Sequence, residues 1–268
     1  MEIKTVDKRT VQRLVRRWNR DGTTEDFLDN LVREFPATIY LNGQELVTLL
    51  CTPEYLEDLG AGFLVSEGML RNKAELESVA ADYEKGQVWV KSSASHLVAE
   101  KTFMKRYLTT GCGKGTTFYN FNDLQSCTPL EAKLRVTPEQ IMARIKELQN
   151  RSELFQTTGG VHSAALASTE ELILYREDIG RHNAVDKILG YSFRQGIDLS
   201  EMLLVTSGRL SSEMLLKTAK AGIPLLVSRS APTSLAVELA EQLGVTLVGF
   251  ARGPRFNVYG HAERITLS

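Results

Sequence analysis

The chain has 268 residues, 43% of them hydrophobic and 24% charged, with a formal net charge of −1. That length supports a self-sufficient core, and the even charge balance gives no bulk attraction to nucleic acid or to a membrane surface. The 3 cysteines, Cys51, Cys112 and Cys127, are too few and too scattered for a disulfide framework; with no apolar leader after Met1 and no run near the roughly 18 residues of a membrane span, the expectation is a soluble, cytoplasmic protein.

The opening Glu2 to Asp21 is charged, carries Arg13, Arg16, Arg17 and Arg20, and reads as polar or helical. A β-type stretch through Ala37–Leu41, the turn signal Asn42-Gly43 and a return over Glu45–Cys51 read as a hairpin. Cys51 ends that strand in an apolar setting and reads as a buried small hydrophobe. Thr52-Pro53 reads as a helix start, with Thr52 as cap and Pro53 at the first helical position, ahead of Leu56, Leu59, Phe63 and Leu64 on one face. Gln87–Lys91 reads as a strand. The stretch from Tyr107 to Leu130, rich in Gly, Thr, Ser and Asn, has no periodicity and reads as a long surface loop.

Thr137-Pro138-Glu139-Gln140 has the elements of a capping box and opens a helix carried by Ile141, Ile145 and Leu148. This places a boundary between an α+β part over 1–136 and an α/β domain over 137–268. In that domain, strands at His162–Ala167 and Glu171–Tyr175 precede a helix over about Asn183–Leu189. The strand Met202–Thr206, the helix Ser212–Ala221, the strand Pro224–Ser228, the helix Thr233–Leu243 and the strand Val245–Phe250 follow. Alternating strands and helices at this spacing predict parallel βαβ units.

The chemistry gathers in four places. Cys112 stands alone in Thr110-Gly111-Cys112-Gly113-Lys114-Gly115, where glycines leave the sulfur uncovered and Lys114 favours the thiolate. That is the setting of a nucleophile or a carrier. The predicted strand ends at Thr206, Ser228 and Phe250 are followed by Arg209, Arg229 and Arg252 with Arg255. Ligands of open α/β sheets bind outside the carboxyl ends of strands, and arginine reads planar oxyanions, so a phosphorylated, nucleotide-like ligand fits; the alternative is that these arginines are solvated loop residues. In Glu177-Asp178-Ile179-Gly180-Arg181-His182-Asn183, either His182 and Asp178 make an acid–base pair, or Asp178 and Asn183 cap a helix and His182 shapes a pocket. His162, after Gly159-Gly160, has too few ligand types around it for zinc and reads as a pocket or core residue; no structural metal is expected.

Thr158–Ala164, Glu177–Lys187, Ser207–Glu213 and Ser230-Ala231-Pro232-Thr233, with Asn42-Gly43, Gly62-Phe63-Leu64 and Glu67-Gly68, resemble the FdhD family of formate dehydrogenase accessory sulfurtransferases from about Phe35 onward. The resemblance implies a cytidine-deaminase-like α/β C-terminal domain and a homodimer. It also implies an activity: sulfur taken as a cysteine persulfide from a cysteine desulfurase and passed to the molybdenum bis(molybdopterin guanine dinucleotide) cofactor, required for formate dehydrogenase. That cofactor would be a bound substrate. A second reading is a chaperone that holds the cofactor without sulfur chemistry. The persulfide cysteine falls on Cys112, and the cofactor segment on Phe250, Ala251, Arg252, Gly253, Pro254 and Arg255, alongside Arg209, Arg229 and His182. Many family members carry Cys-x-x-Cys in the mobile loop; here the second position is Gly115, which leaves Cys112 to act alone or with Cys127 as a resolving thiol. Deaminase chemistry is not expected, since the His-x-Glu and Pro-Cys-x-x-Cys patterns have no full counterpart.

Overall fold

The computed structural model describes residues 7–94 and 129–267. Cys112, Cys127 and most of the predicted Tyr107–Leu130 loop lie outside them. No described helix is long and apolar enough to cross a membrane.

The chain opens with a two-stranded ribbon, β1 (Thr10–Trp18) and β2 (Thr24–Val32), paired antiparallel. The polar or helical expectation for Glu2 to Asp21 is therefore corrected. Arg16 and Arg17, which look like a helix face, lie opposite Asp26 and Glu25 across the ribbon and pair with them at 2.7 and 3.0 Å. A strand exposed on both sides has no alternation to betray it.

A four-stranded sheet in the order β4-β3-β6-β5 follows, from β3 (Phe35–Leu41), β4 (Gln44–Cys51), β5 (Leu76–Asp82) and β6 (Gln87–Ser92). One face is covered by α1 (Leu56–Ser66), packed through Leu56, Leu59, Phe63 and Leu64. This helix starts four residues after Thr52, behind Tyr55 in a left-handed conformation (φ 53°). Thr52 is not its cap, because its backbone N–H and hydroxyl are drawn away to Asp178 at 3.0 and 3.1 Å.

Helix α2 (Pro138–Asn150) carries the expected reciprocal capping box between Thr137 and Gln140. The short α3 (Glu153–Thr158) leads into a six-stranded sheet in the order β12-β11-β10-β9-β7-β8. Its members are β7 (His162–Ala167), β8 (Leu172–Asp178), β9 (Leu203–Thr206), β10 (Leu225–Ser228), β11 (Thr246–Arg252) and β12 (Arg255–Val258). β9, β10 and β11 are parallel, and β7, β8 and β12 run antiparallel to their neighbours. The helices α4 (Arg181–Gln195), α5 (Ser212–Lys220) and α6 (Ser234–Leu243) cover one face, and α2 covers the other. This is the layered α/β arrangement expected from the sequence. The Ser211 and Thr233 side chains cap α5 and α6.

The two sheets are joined through α1 and α4, which cross at Gly62 and Gly190. A Cβ on Gly62 would lie 1.7 Å from the Asp186 carbonyl oxygen, and one on Gly190 1.8 Å from that of Asp58, so only glycine permits the approach. Three buried polar clusters line this junction. Asp58 receives Arg176 at 2.9 Å and Arg194 at 2.5 Å, and the Arg176 guanidinium also lies over the Tyr55 and Tyr191 rings. Asp186 receives Lys217 at 2.6 Å and the Ser66 hydroxyl at 2.5 Å. Lys187, fully buried, donates to Asp178 at 2.6 Å and to the Thr52 hydroxyl at 2.7 Å. Charges this deep are tolerated only when paired and hydrogen-bonded.

Candidate functional site

A cleft of about 550 Å³ opens at the carboxyl ends of β9, β10 and β11. Its lining includes Gly160, His162, Ser207, Arg229, Phe250 and Arg252. Two of the arginines anticipated at strand ends, Arg229 and Arg252, therefore meet in one cavity. Arg209 is exposed just beyond β9 and Arg255 is exposed on β12; neither is part of that lining.

Local backbone chemistry builds the β11 side. Register slips between Gly249 and Arg252 where β11 pairs with β12. Within this bulge Phe250 takes a positive φ of 53°, a strained conformation for a bulky residue. It is held there by its N–H donating to the Ser230 carbonyl at 3.0 Å. Gly249 leaves little room for a side chain, since a Cβ would lie 3.0–3.2 Å from Pro232, Tyr259 and Ser230. Bulges of this kind re-aim side chains next to active sites. Here the bulge brings Phe250 into the cleft, with the Arg252 guanidinium 5.7 Å from its ring centroid. Ala251 is fully buried and faces the core. Gly253 (φ +60°) and Pro254 form the exposed turn to β12.

That turn sets Arg252 directly opposite Arg255 in the ladder. Like charges facing across a sheet destabilise it, and neither arginine has a carboxylate partner among the described residues. Arg229, by contrast, is oriented by Gln149 at the end of α2, whose amide oxygen accepts from Nη1 at 2.8 Å. Two guanidinium groups in one cleft, with Arg255 on the strand next to Arg252, make a receptor for a multiply charged anion.

The other wall comes from Gly159–His162 at the start of β7 and from Ile179, in the turn between β8 and α4. Asp178 is the organiser. One carboxylate oxygen accepts from the Gly180 N–H and the Asn183 amide, both at 2.9 Å, and the other accepts from Thr52 and Lys187. With its oxygens so engaged, Asp178 shapes the turn that carries Ile179 and His182. Neither reading of the sequence holds in full: Asp178 is not the partner of His182, the helix is capped at Gly180 without a side-chain cap, and His182 is not among the residues lining the cleft. The partner of His182 is Glu213, on the first turn of α5, with Nδ1 and Oε2 3.2 Å apart. Nothing in the sequence linked these two residues, 31 positions apart on separate helices. Despite that carboxylate, burial first, and then the positive charges of Lys217 and Arg181, push the His182 pKa down to about 3, so its imidazole is neutral. His162 is also lowered, chiefly by burial and next by Arg181, and its Nδ1 lies 3.4 Å from the Ser207 hydroxyl. Among the described residues, no group of three or more His, Cys, Asp or Glu is arranged to hold a metal ion.

Residues 32–266 match the model of the FdhD/NarQ family. The chain belongs to that family. It is 45% identical to the sulfur carrier protein FdhD of Bacillus subtilis over 97% of its own length and 98% of that protein's. It is 43% identical to the protein of the same name from Geobacillus kaustophilus, over 92% and 94% of the two chains. Among solved structures, a formate dehydrogenase accessory protein candidate from Desulfotalea psychrophila superposes with a TM-score of 0.81 at 29% identity, covering 96% of this chain and 99% of that one. The mixed α/β fold is thus shared with a family member of known structure. The ribbon β1–β2 lies almost wholly ahead of the segment the family model matches.

Proposed function

We propose that this protein is a cytoplasmic sulfur carrier acting in formate dehydrogenase maturation, with Cys112 as the carrier thiol and the arginine cleft as the seat of the acceptor. The supporting observation is the cleft itself: a family member whose relatives are named sulfur carriers gathers Arg229, Arg252 and a strained Phe250 at the carboxyl ends of its parallel strands. The acceptor that suits it is the molybdenum bis(molybdopterin guanine dinucleotide) cofactor, bound as substrate. Its phosphates match the guanidinium groups, and its planar rings match Phe250. The site residues carry this reading with unequal parts: Arg229 and Arg252 within the cleft, Arg255 opposite Arg252 on β12, and Arg209 beyond β9.

In the loading step the Cys112 thiolate attacks the outer sulfur of a desulfurase persulfide. A new S–S bond forms at Cys112, the donor's S–S bond breaks, and the donor cysteine leaves as thiolate, so charge and sulfur balance. With Gly115 in place of a second loop cysteine, one thiol suffices. A protein of this kind works as a homodimer with the desulfurase and the formate dehydrogenase as successive partners. Incubation with a cysteine desulfurase and cysteine, followed by intact-mass measurement, is expected to show one extra sulfur that maps to Cys112. Equal loading of Cys112→Ala refutes the assignment, and full rescue of formate dehydrogenase activity by that variant favours a cofactor chaperone.

A further inference from the structure

The ribbon β1–β2 has no task in the sulfur chemistry. Among the described residues its two strands pair only with each other. Its root is fixed: the Arg33 N–H donates to the Arg9 carbonyl at 2.7 Å, and Val32 packs on Gly160, where a Cβ would lie 2.6 Å from its Cγ1. Side chains alternate between the two faces of a strand, so the register places Leu14, Leu28, Trp18 and the Arg16–Asp26 pair on one face. There Leu14, Leu28 and Trp18 are 53%, 59% and 73% exposed. The opposite face is less open. Val15 and Phe27 are half-buried on it, and the Arg17 guanidinium lies 4.1 Å from the Phe27 ring centroid. A two-stranded ribbon is marginal in water until a further layer covers its apolar face, and a contiguous exposed apolar patch marks a contact surface.

The charges indicate what covers it. From Thr10 to Val32 the ribbon carries four arginines and four acids, so it is neutral as a whole. Arg13, Arg16 and Arg17 stand on β1, and Glu25, Asp26 and Asp29 on β2. A strongly basic or acidic partner gains nothing from a neutral surface, whereas a second ribbon of the same kind brings an acidic strand to the basic one and a basic strand to the acidic one. On the exposed face the only charges, Arg16 and Asp26, hold each other through two hydrogen bonds of 2.7 and 2.8 Å, so covering that face leaves no charge unpaired. Edge-to-edge pairing of two-fold-related copies is opposed, since it would set arginines beside arginines along β1 or acids beside acids along β2. The exposed face is what remains. We propose that the ribbon is the self-association arm of this protein: two copies pack face to face about a two-fold axis, Leu14, Leu28 and Trp18 of each against those of the other, with β1 of one copy over β2 of the other. This rests on the reading of the protein as a homodimer and adds the surface that joins the copies.

Sedimentation velocity of the full chain over a concentration series tests it, with the parent expected to be a dimer. Leu14→Thr/Trp18→Thr/Leu28→Thr strips the face but keeps a residue that favours strands. It should raise the dimer dissociation constant at least about a hundredfold, because each copy loses the burial of two leucines and a tryptophan. Val11→Thr/Leu31→Thr, on the opposite face, should stay within roughly threefold of the parent. A second readout leaves the face intact. The chain has 2 tryptophans, so in a Trp89→Phe background Trp18 emits alone, and its emission should shift to the red on dilution through the dissociation. A dimer untouched by the triple variant, equal weakening by both variants, or Trp18 emission that ignores dissociation overturns the inference and leaves a homodimer joined elsewhere. A parent that stays monomeric at every concentration defeats the homodimer reading and the inference with it.

Discussion

Replacing both Arg252 and Arg255 with alanine is the sharpest test of the cleft. Both side chains are exposed and face each other across the β11–β12 ladder with no carboxylate partner among the described residues. A charge-assisted hydrogen bond contributes about 1.5–3 kcal/mol, and at an exposed position the lower end applies. Two such bonds amount to about 3 kcal/mol, or roughly a hundredfold in the dissociation constant of guanosine diphosphate. Without ligand the sign reverses. Removing two like charges that face each other relieves repulsion of a few tenths of a kcal/mol, so the double variant should be no less stable than the parent in urea. Calorimetry of binding at two salt concentrations, with urea melts of the free protein, reads both halves, and the salt dependence of binding should flatten. Unchanged affinity would place the phosphate site elsewhere. Weaker binding accompanied by a large loss of stability would mean that the arginines hold the turn rather than the ligand.

Two more expectations follow from the buried groups. Lys187→Met should cost about 3–5 kcal/mol, because it leaves the Asp178 carboxylate buried without its cation, and should lower the melting temperature by roughly 10 °C; a loss under about 1 kcal/mol would show that water reaches the pair. Burial, and next the nearby Asp178, push the Cys51 thiol up to about 12, so in a Cys112→Ser/Cys127→Ser background a thiol-exchange reagent near pH 8 should label Cys51 only on unfolding. Fast labelling of the native protein would contradict its placement.

Most of the C-terminal α/β domain was legible because its elements announce themselves locally; the short α3 and the edge strand β12 were not among those read. Thr137 and Gln140 make their box within four residues, and Gly244 at φ +69° ends α6 where a glycine was expected to end a helix. The arginines of the cleft were legible for the same reason: Arg229 and Arg252 sit at strand ends, and strand ends converge in this architecture. What the sequence hid depends on partners far along the chain. Thr52 looks like a helix cap until Asp178, 126 positions away, takes its donors. His182 looks like a partner for nearby Asp178 until the folded chain brings Glu213 against it. The strain at Phe250 comes from a slipped register, which no composition signals. The β1–β2 ribbon was missed because its arginines answer acids on the facing strand rather than a core.

The crossing of α1 and α4 at Gly62 and Gly190 bears on what can be done with this chain in the laboratory. The two sheets fall on either side of a position where a domain boundary looks natural, yet a cut there would separate Asp58 from both of its arginines and Asp178 from the Thr52 donors. Neither half is an exchangeable module. A chimera between relatives should therefore inherit α1, Thr52 and α4 from the same parent, and fusion tags belong at the termini rather than between the sheets.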